Sequence, residues 1–335
     1  METIVNQDAD NIFLDINKKN RPNDPLISCI TPCYNEGANL EALAKEVDRI
    51  FKNLKLRYEL ILVNDGSRDN TAAVAHSLLQ QFPIKLIQLS RNYGKEIALS
   101  AGIDHAKGDC AILIDADLQH PPELISDFYQ HWREGYDMVY GYRASRDDES
   151  LLKRSFVGFF YGLMNFGQKR KIVPNTLDYR LMDKKVLVAM SSMPENNRFM
   201  KGLYSWVGFT NIGLPVEISD RTAGQTSFGF LNLFKLAMTG LTAFSNVPLR
   251  LWGILGAIIS LLSFAYGFWV AIETLIWGNP TAGWPTVIVV QAFLGGVLLM
   301  SIGILGEYIG RIFTEVKRRP LYFVSHVIQS DEHPD

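Results

Sequence analysis

The chain has 335 residues, a formal net charge of −2 and a hydrophobic fraction of 47%. This length is enough for two domains, or for one domain and a membrane part. The near-neutral charge argues against an acidic tail protein and against a nucleic-acid binder, so no nucleic-acid partner is expected. The three cysteines lie in or beside apolar, strand-like runs, which predicts buried thiols and no disulfide framework: Cys29, Cys33 and Cys110.

The first 25 residues are mostly polar. They lack the cationic start and the apolar core that are typical of a signal peptide. We therefore expect a flexible N-terminal tail over residues 1–25, and we expect the chain to start in the cytosol.

Residues 26–143 alternate short, apolar, β-branched runs with helix-like segments. In the first of these segments, apolar residues recur at three- and four-residue steps from Leu40 to Leu54, which predicts an amphipathic helix. Such alternation, with strands that are apolar throughout, predicts an α/β fold whose parallel sheet is covered on both faces. The predicted strands are LISCIT, YELILV, IKLIQL, AILI and DMVYGY.

Polar clusters follow four of the predicted strands in succession. In parallel sheets ligands bind beyond the carboxyl ends of the strands, so the clusters predict a site at that edge. Each cluster alone has a simpler interpretation, since Asp-Gly-Ser is most often a turn and Tyr-Asn-Glu can lead into a helix cap. The clusters are TPCYNEG, NDGSRDNT, SRNYGKE and DADLQHPP.

Two carboxylates, Asp115 and Asp117, follow the fourth predicted strand. Like charges this close repel each other, so we expect a cation beside them. Carboxylate oxygens suit a hard divalent cation that bridges to substrate phosphates, and the pair therefore predicts Mg²⁺ or Mn²⁺ carrying a diphosphate. Neither G-x-x-x-x-G-K-[ST] nor G-x-G-x-x-G occurs, which argues against a P-loop nucleotidase and a dinucleotide oxidoreductase.

The C-terminal part contains two runs of 22 residues without a charge, 251–272 and 285–306. At about 1.5 Å rise per residue each run covers the roughly 30 Å hydrocarbon core of a bilayer, which predicts a transmembrane hairpin. The loop between the runs has no Lys or Arg, whereas the outer flanks are basic, so both flanks are expected in the cytoplasm. Two apolar stretches with basic ends, 151–171 and 228–244, are expected to be interfacial helices or ordinary core helices.

Seven motifs carry a family resemblance: ISCITPCYNE, LVNDGSRDNT, LSRNYGKEIALSAGIDHAKGD, LIDADLQHPPE, NTLDYRLMD, NRFMKGLYSWVGF and RTAGQTSF. Together they resemble the family-2, inverting glycosyltransferases of GT-A fold, and more narrowly the polyprenyl-phosphate glycosyltransferases. The resemblance covers roughly residues 26–325. It is closest to the bactoprenol glucosyltransferases, and the dolichol-phosphate mannose synthases are related.

The resemblance implies a role for each matched residue. The implied nucleotide-binding residues are Pro32, Tyr34, Glu36, Asp65, Lys95, Asp115 and Gln119, and the implied metal ligands are Asp115 and Asp117. The implied catalytic residues are Asp178, Asp117 and Arg180, and the implied acceptor-phosphate residues are Arg143, Arg198 and Arg221. Asp178 could orient a sugar hydroxyl, orient a phosphate or act as a base. Each arginine could instead form a surface ion pair of little energetic weight.

The resemblance also implies a reaction, partners and a location. A hexose, glucose from UDP-glucose in the first place, would pass with inversion to a polyprenyl (undecaprenyl) phosphate at the cytoplasmic face of the plasma membrane. The lipid-linked sugar would serve cell-surface glycan modification, and the chain would form a homo-oligomer, with a tetramer as the expected assembly. Two alternatives stay open: a processive polysaccharide synthase, although the Q-x-x-R-W motif is missing, and a non-catalytic membrane scaffold.

The expected architecture is a GT-A (Rossmann-like) α/β domain with a mostly parallel sheet, followed by interfacial helices and a two-helix transmembrane hairpin. A multi-pass membrane protein with a cytoplasmic catalytic domain follows from this order. The expected segments are a tail (1–25), the catalytic domain (26–228), an interfacial helix (229–248), two transmembrane helices (249–312) and a cytosolic C-terminal tail (313–335).

Overall fold

The computed structural model describes residues 13–143, 176–196, 198–216 and 283–330, with scattered positions between 256 and 276. The chain divides into two units. The larger unit holds the sheet and includes the segment from Pro320 onward, and the smaller unit contains the long C-terminal helix. Arg221 and both stretches expected at the membrane interface lie outside the described residues.

The larger unit is built on one sheet. Its strands are β1 (Leu26–Cys33), β2 (Arg57–Asn64), β3 (Ile84–Leu89), β4 (Cys110–Leu113), β5 (Met138–Arg143), β6 (Thr176–Asp183), β7 (Asn211–Val216) and β8 (Val324–Gln329). Their order across the sheet is β7-β5-β6-β4-β1-β2-β3-β8, and β6 and β8 run antiparallel to the others. The predicted α/β class with a mostly parallel sheet is confirmed.

The described helices are α1 (13–20), α2 (Leu40–Leu54), α3 (Thr71–Leu78), α4 (Lys95–His105), α5 (Leu124–Arg133), α6 (Lys184–Ser191), α7 (Met200–Val207) and α8 (Trp284–Val316). Helix α2 is the predicted amphipathic helix, and its apolar residues share a core cluster with Leu60 and Leu62 of β2. On the other face α4 lies against β1, where a Cβ at Gly102 would approach Ile30 Cγ2 to 2.2 Å, so only glycine fits. Helices therefore cover both faces of the sheet, as predicted.

The N-terminal segment differs from the flexible tail expected over residues 1–25. Residues 13–20 form α1, and Arg21 behind it is only 8% exposed. Its guanidinium donates to the carbonyl of Tyr136 at 2.6 Å and lies 4.6 Å from the ring of Trp132. It also forms ion pairs with Asp137 (3.8 Å) and Asp183 (3.6 Å). These contacts with two carboxylates and an indole hold Arg21 against the domain. The polar composition of the N-terminal segment did not indicate such contacts.

The C-terminal segment also differs from the expected cytosolic tail over residues 313–335, because β8 joins the sheet beside β3. Backbone hydrogen bonds of 2.9 Å, from Ser90 to Phe323 and from Ser330 to Ile84, mark the two ends of this pairing. The strand satisfies backbone groups that β3 would otherwise leave open at the sheet edge. The three cysteines of the sheet region are buried and free, as predicted.

The smaller unit contains α8, a helix of 33 residues with Pro285 in its first turn. Proline is favourable there because the first N–H groups of a helix have no intrahelical acceptor. Its part from Phe293 to Val316 is, among the described residues, the one helix long and apolar enough to cross a membrane. Most of its described side chains are exposed, which is consistent with the second predicted span. The first predicted span is described only at scattered positions, which are helical, and the hairpin as a whole stays a prediction.

The anchoring of Arg21 leads to a stability prediction. We expect Arg21→Ala to lower the free energy of unfolding by about 2 kcal/mol, because Asp137 and Asp183 lose a buried partner. Thermal denaturation of the full chain in detergent should show a melting temperature lower by about 4–8 °C. The exposed neighbour Lys19→Ala is the control and should change it by no more than about 1–2 °C. Equal melting temperatures for the two variants would show that the buried contacts of Arg21 add nothing to stability.

Candidate active site

The loops that follow β1, β2, β3 and β4 lie at one edge of the sheet, because these strands are parallel. Asp65, directly after β2, accepts hydrogen bonds from the backbone N–H groups of Tyr93 (2.7 Å) and Gly94 (2.8 Å). Gly66 has a φ of +65°, and a Cβ there would lie 2.6 Å from the backbone of Arg91, so the turn requires glycine. These contacts fix the loop that leads to Lys95, the first residue of α4.

The β1 and β2 loops are joined in the same way. The backbone N–H of Asn35 donates to Ser67 Oγ at 3.0 Å, and the N–H of Glu36 donates to Thr71 Oγ1 at 2.9 Å. Tyr34 beside them is 43% exposed. The structure thus places the exposed ring of Tyr34 and the half-buried carboxylate of Glu36 at the edge where the resemblance implies nucleotide binding. Pro32, near the end of β1, is half-buried.

Lys95 connects two carboxylates from distant parts of the chain. Its Nζ lies 2.7 Å from Asp115 Oδ1 and 3.3 Å from Asp178 Oδ2. Strands β4 and β6 are antiparallel, and Leu113 is paired with Arg180. Asp115 lies two residues after Leu113 and Asp178 two residues before Arg180, so this register brings the two aspartates to the same position. The strand register therefore explains why these two aspartates meet.

The charges around Lys95 and Asp178 support one another. Burial opposes the charge of Lys95, but Asp115 and Asp178 raise the pKa of Lys95 above its ordinary value. Burial also opposes the charge of Asp178, yet Lys95, Lys201 and Arg180 lower the pKa of Asp178. Both groups are thus ionised at neutral pH. Because the Lys95 side chain is 45% exposed, solvent screens part of the attraction. Lys95 nevertheless places a positive charge beside Asp115, and the Mg²⁺ or Mn²⁺ expected at Asp115 and Asp117 stays a prediction.

Asp115 and Asp117 carry the hard oxygen atoms that suit the expected Mg²⁺ or Mn²⁺. Asp117 Oδ1 accepts the N–H of Gln119 at 3.2 Å. Burial raises the pKa of Glu36, and the charges of Asp117 and Asp115 raise it further, so the three carboxylates share one region. Within the described ranges no group of three or more His, Cys, Asp or Glu is arranged to hold a metal. Two carboxylates fit a cation bound mainly through substrate phosphates and water.

Arg180, for which the resemblance implied a catalytic role, is buried and only 2% exposed. Its guanidinium carbon is 3.4 Å from the ring centroid of Tyr204 and 5.9 Å from that of Tyr140. One of its nitrogens donates to the carbonyl of Leu177 at 2.6 Å. In this arrangement Arg180 acts on the site through its charge, which contributes to lowering the pKa of Asp178.

The other three arginines have different surroundings. Arg198 donates to the carbonyls of Met193 (2.7 Å) and Met190 (3.4 Å) at the end of α6, a favourable place for a cation. Arg143 ends β5 and is half-buried, and Arg221 lies outside the described residues. Binding of the acceptor phosphate by these three arginines stays a prediction.

Three residues that the sequence analysis did not select surround Asp178. Glu96 accepts the backbone N–H of Met200 at 3.0 Å, which satisfies the start of α7. Lys201 and Tyr204 lie three residues apart on α7. The charge of Lys201 lowers the pKa of Asp178, and the charge of Asp178 contributes to the raised pKa of Tyr204. Their helical spacing was readable, but the packing of α7 beside β6 was not.

Both parts of the chain match known protein families. Residues 28–190 match glycosyl transferase family 2, and residues 247–312 match the GtrB C-terminal hairpin. An uncharacterized glycosyltransferase of Synechocystis sp. is 47% identical over 300 residues, which cover 89% of this chain and 94% of that protein. The chain belongs to glycosyl transferase family 2. The predicted resemblance is confirmed.

Other relatives of this family-2 glycosyltransferase carry more specific names. The SfII prophage-derived bactoprenol glucosyl transferase of Shigella flexneri is 43% identical, with 89% of this chain and 97% of that protein covered. A prophage bactoprenol glucosyl transferase homolog of Escherichia coli is 41% identical, with 90% and 99% covered. Among solved structures, mannosyl-3-phosphoglycerate synthase from Rubrobacter xylanophilus is 14% identical, with 72% and 82% covered and a TM-score of 0.43.

Glu96 should make the stability of this glycosyltransferase depend on pH. Burial, with a smaller effect of Asp178, raises the pKa of Glu96 to about 7. A raised carboxyl pKa stabilises the fold below the unfolded-state pKa, and this stabilisation is lost as pH rises through the folded-state value. We therefore expect the melting temperature of the wild type to fall relative to that of Glu96→Gln between about pH 5 and pH 8. Thermal denaturation in detergent measures the difference.

The exposed Glu123→Gln is the matched control for Glu96→Gln. Its melting temperature should follow that of the wild type across the same pH range. A constant difference between wild type and Glu96→Gln would contradict the assignment of a raised pKa to Glu96.

Proposed function

We propose that this glycosyltransferase moves glucose from UDP-glucose to a polyprenyl phosphate at the cytoplasmic face of the membrane. The observation that carries the proposal is the Lys95 bridge between Asp115 and Asp178 at a sheet edge, in a chain that also has the exposed apolar helix α8. A glycosyltransferase domain and a helix long and apolar enough to cross a membrane occur in one chain. Relatives named bactoprenol glucosyl transferase, 41% to 43% identical, support this choice of sugar and acceptor.

The edge loops would bind the donor nucleotide. The exposed ring of Tyr34 offers a stacking surface for uracil, and Glu36 lies beside it as an acceptor for ribose hydroxyls. Both oxygens of Asp65 already accept backbone N–H groups, so we assign it mainly to holding the loop before Lys95. Asp115 and Asp117 would hold Mg²⁺ or Mn²⁺, a Lewis acid whose chemistry is to stabilise charge on the departing diphosphate.

In the proposed reaction a phosphate oxygen of the lipid bonds to the anomeric carbon while the bond from that carbon to the UDP oxygen breaks. The attack comes from the opposite side, so the configuration inverts. A phosphate monoester has its second pKa near about 6, so the nucleophile is already ionised at neutral pH and needs no strong base. The lowered pKa of Asp178 accords with this, since it makes Asp178 a weak proton acceptor. We therefore assign Asp178 an orienting role.

Two anions must approach each other in this reaction, and the chain has to supply positive charge for the acceptor. Arg198 donates a hydrogen bond to the backbone carbonyl of Met193. Lys95 and Lys201, by contrast, both lower the pKa of Asp178 through their positive charge. We assign part of the acceptor's charge compensation to these lysines, in addition to the predicted roles of Arg143 and Arg221.

A transfer assay tests donor, acceptor and reaction together. Membranes that contain the full chain receive polyprenyl phosphate and a panel of labelled nucleotide sugars, and we expect label from UDP-glucose in the organic phase. We expect Asp117→Asn to lower the rate by at least about 100-fold, because a group that stabilises transition-state charge is lost. Asp127→Asn, an exposed acid on α5, should keep the wild-type rate.

Each other outcome of the assay contradicts a named part of the proposal. Label that enters the lipid only from another nucleotide sugar would exclude glucose as the transferred sugar. Label that never enters the lipid would exclude the acceptor. Full activity of Asp117→Asn with added Mg²⁺ would exclude Asp117 as a metal ligand.

The proposed location makes a separate prediction. With the catalytic domain in the cytoplasm and two spans, a reporter fused after Asp335 should be active only in the cytoplasm. Activity confined to the other side of the membrane would overturn this topology. The homo-oligomer stays a prediction, which the mass of the detergent-solubilised protein would test.

A further inference from the structure

Several buried polar atoms beside the candidate active site have no hydrogen-bond partner within the described part of the chain, and they include His120 Nδ1, Arg180 Nε, Asp178 Oδ1 and Tyr204 Oη. The last two, Asp178 Oδ1 and Tyr204 Oη, are considered as a pair. Tyr204 is only 5% exposed, so solvent does not satisfy its hydroxyl. A buried polar group without a hydrogen-bond partner destabilises the folded state. Such atoms therefore point to places where a ligand or an ordered water completes the bonding.

Tyr204 is held in place from two directions. The guanidinium of Arg180 lies 3.4 Å from its ring centroid, which fixes the ring by a cation–π contact. Glu96 accepts the N–H of Met200 and so fixes the start of α7, the helix that carries Tyr204. A side chain with a fixed position can form a hydrogen bond with a ligand atom at one defined place.

The Tyr204 hydroxyl lies within reach of the field of the active-site carboxylates. Burial raises the pKa of Tyr204 well above its ordinary value. The charge of Arg180 opposes this rise, whereas the charges of Asp178, Glu96 and Asp115 add to it. The phenol therefore keeps its proton and is a hydrogen-bond donor. Asp178 Oδ1, being ionised, can only accept.

The chemistry of this pair restricts the ligand that satisfies both atoms. An ionised phosphate offers only acceptor atoms, so it could pair with Tyr204 but not with Asp178. A sugar hydroxyl both donates and accepts, and neighbouring hydroxyls on a hexose ring can meet a phenol and a carboxylate together. The pair thus fits a polyol.

We propose that Tyr204 is a specificity-determining residue that donates a hydrogen bond to one hydroxyl of the donor sugar, while Asp178 Oδ1 accepts one from another hydroxyl. The inference rests on the proposed function, because it takes a sugar nucleotide as the ligand. It adds Tyr204 of α7 to the sugar-binding residues, where Tyr204 would recognise one hydroxyl of the sugar by a hydrogen bond.

The test compares wild type and Tyr204→Phe with the nucleotide sugar of the panel that binds the wild type most tightly, and with the monodeoxy analogues of that nucleotide sugar. The Phe ring keeps the contact with Arg180, so the variant loses only the hydroxyl. We expect Tyr204→Phe to bind the parent donor about 10-fold more weakly. One monodeoxy donor should bind wild type about 10-fold more weakly than the parent does, yet bind Tyr204→Phe as well as the parent does.

Binding is measured by calorimetry in detergent without any lipid acceptor. If polyprenyl phosphate is not the acceptor, the proposed function fails but this measurement still decides the role of Tyr204. If no sugar nucleotide binds the chain at all, both proposals fail. Tyr140→Phe removes a hydroxyl from the other ring near Arg180 and should keep the wild-type discrimination among the donors.

Two results would overturn the inference. An equal loss with the parent and with every deoxy donor would mean that Tyr204 orients Asp178, directly or through water, and does not read the sugar. Unchanged binding by Tyr204→Phe, with the melting temperature of the wild type, would mean that its hydroxyl contacts no ligand.

Discussion

The site depends on one cation placed between two carboxylates. Without Lys95, Asp115 and Asp178 would lose the cation that both contact, and the ionised form of each carboxylate would be less favourable. The position of Lys95 in turn depends on backbone contacts, since Asp65 and Gly66 fix the loop that ends where α4 begins. Electrostatics and turn geometry are therefore coupled, and neither can change alone.

The sequence predicted those parts of the fold in which local pattern and final environment agree. Strands β1 to β5 are apolar and buried, and α2 has one apolar face, so periodicity was sufficient. Strand β6 contains Asp178 and Arg180, and β8 is largely exposed, so neither shows the apolar pattern of a buried strand. Arg21 looked like any other tail cation because its partners lie more than 100 residues away in the chain.

The same distinction applies to the site. Asp115 was found because it directly follows a strand, whereas its partnership with Asp178 follows from the register between β4 and β6, which no local motif specifies. The roles of Arg180 and Arg198 were assigned by the family resemblance, which carries no information on the packing of these side chains in this chain. The structure gives Arg180 two aromatic rings and gives Arg198 the backbone carbonyls of Met190 and Met193, partners that only tertiary packing can supply. Tyr204 was missed for the same reason.

Strand β8 has a consequence for biogenesis. It follows α8 in the chain, so the residues that complete the catalytic sheet leave the ribosome only after the apolar helix has been made. Until then the edge of β3 is unpaired, and an open edge invites pairing with other chains. Synthesis of α8 thus precedes closure of the sheet, and a truncated chain that stops before β8 would leave the edge of β3 unpaired.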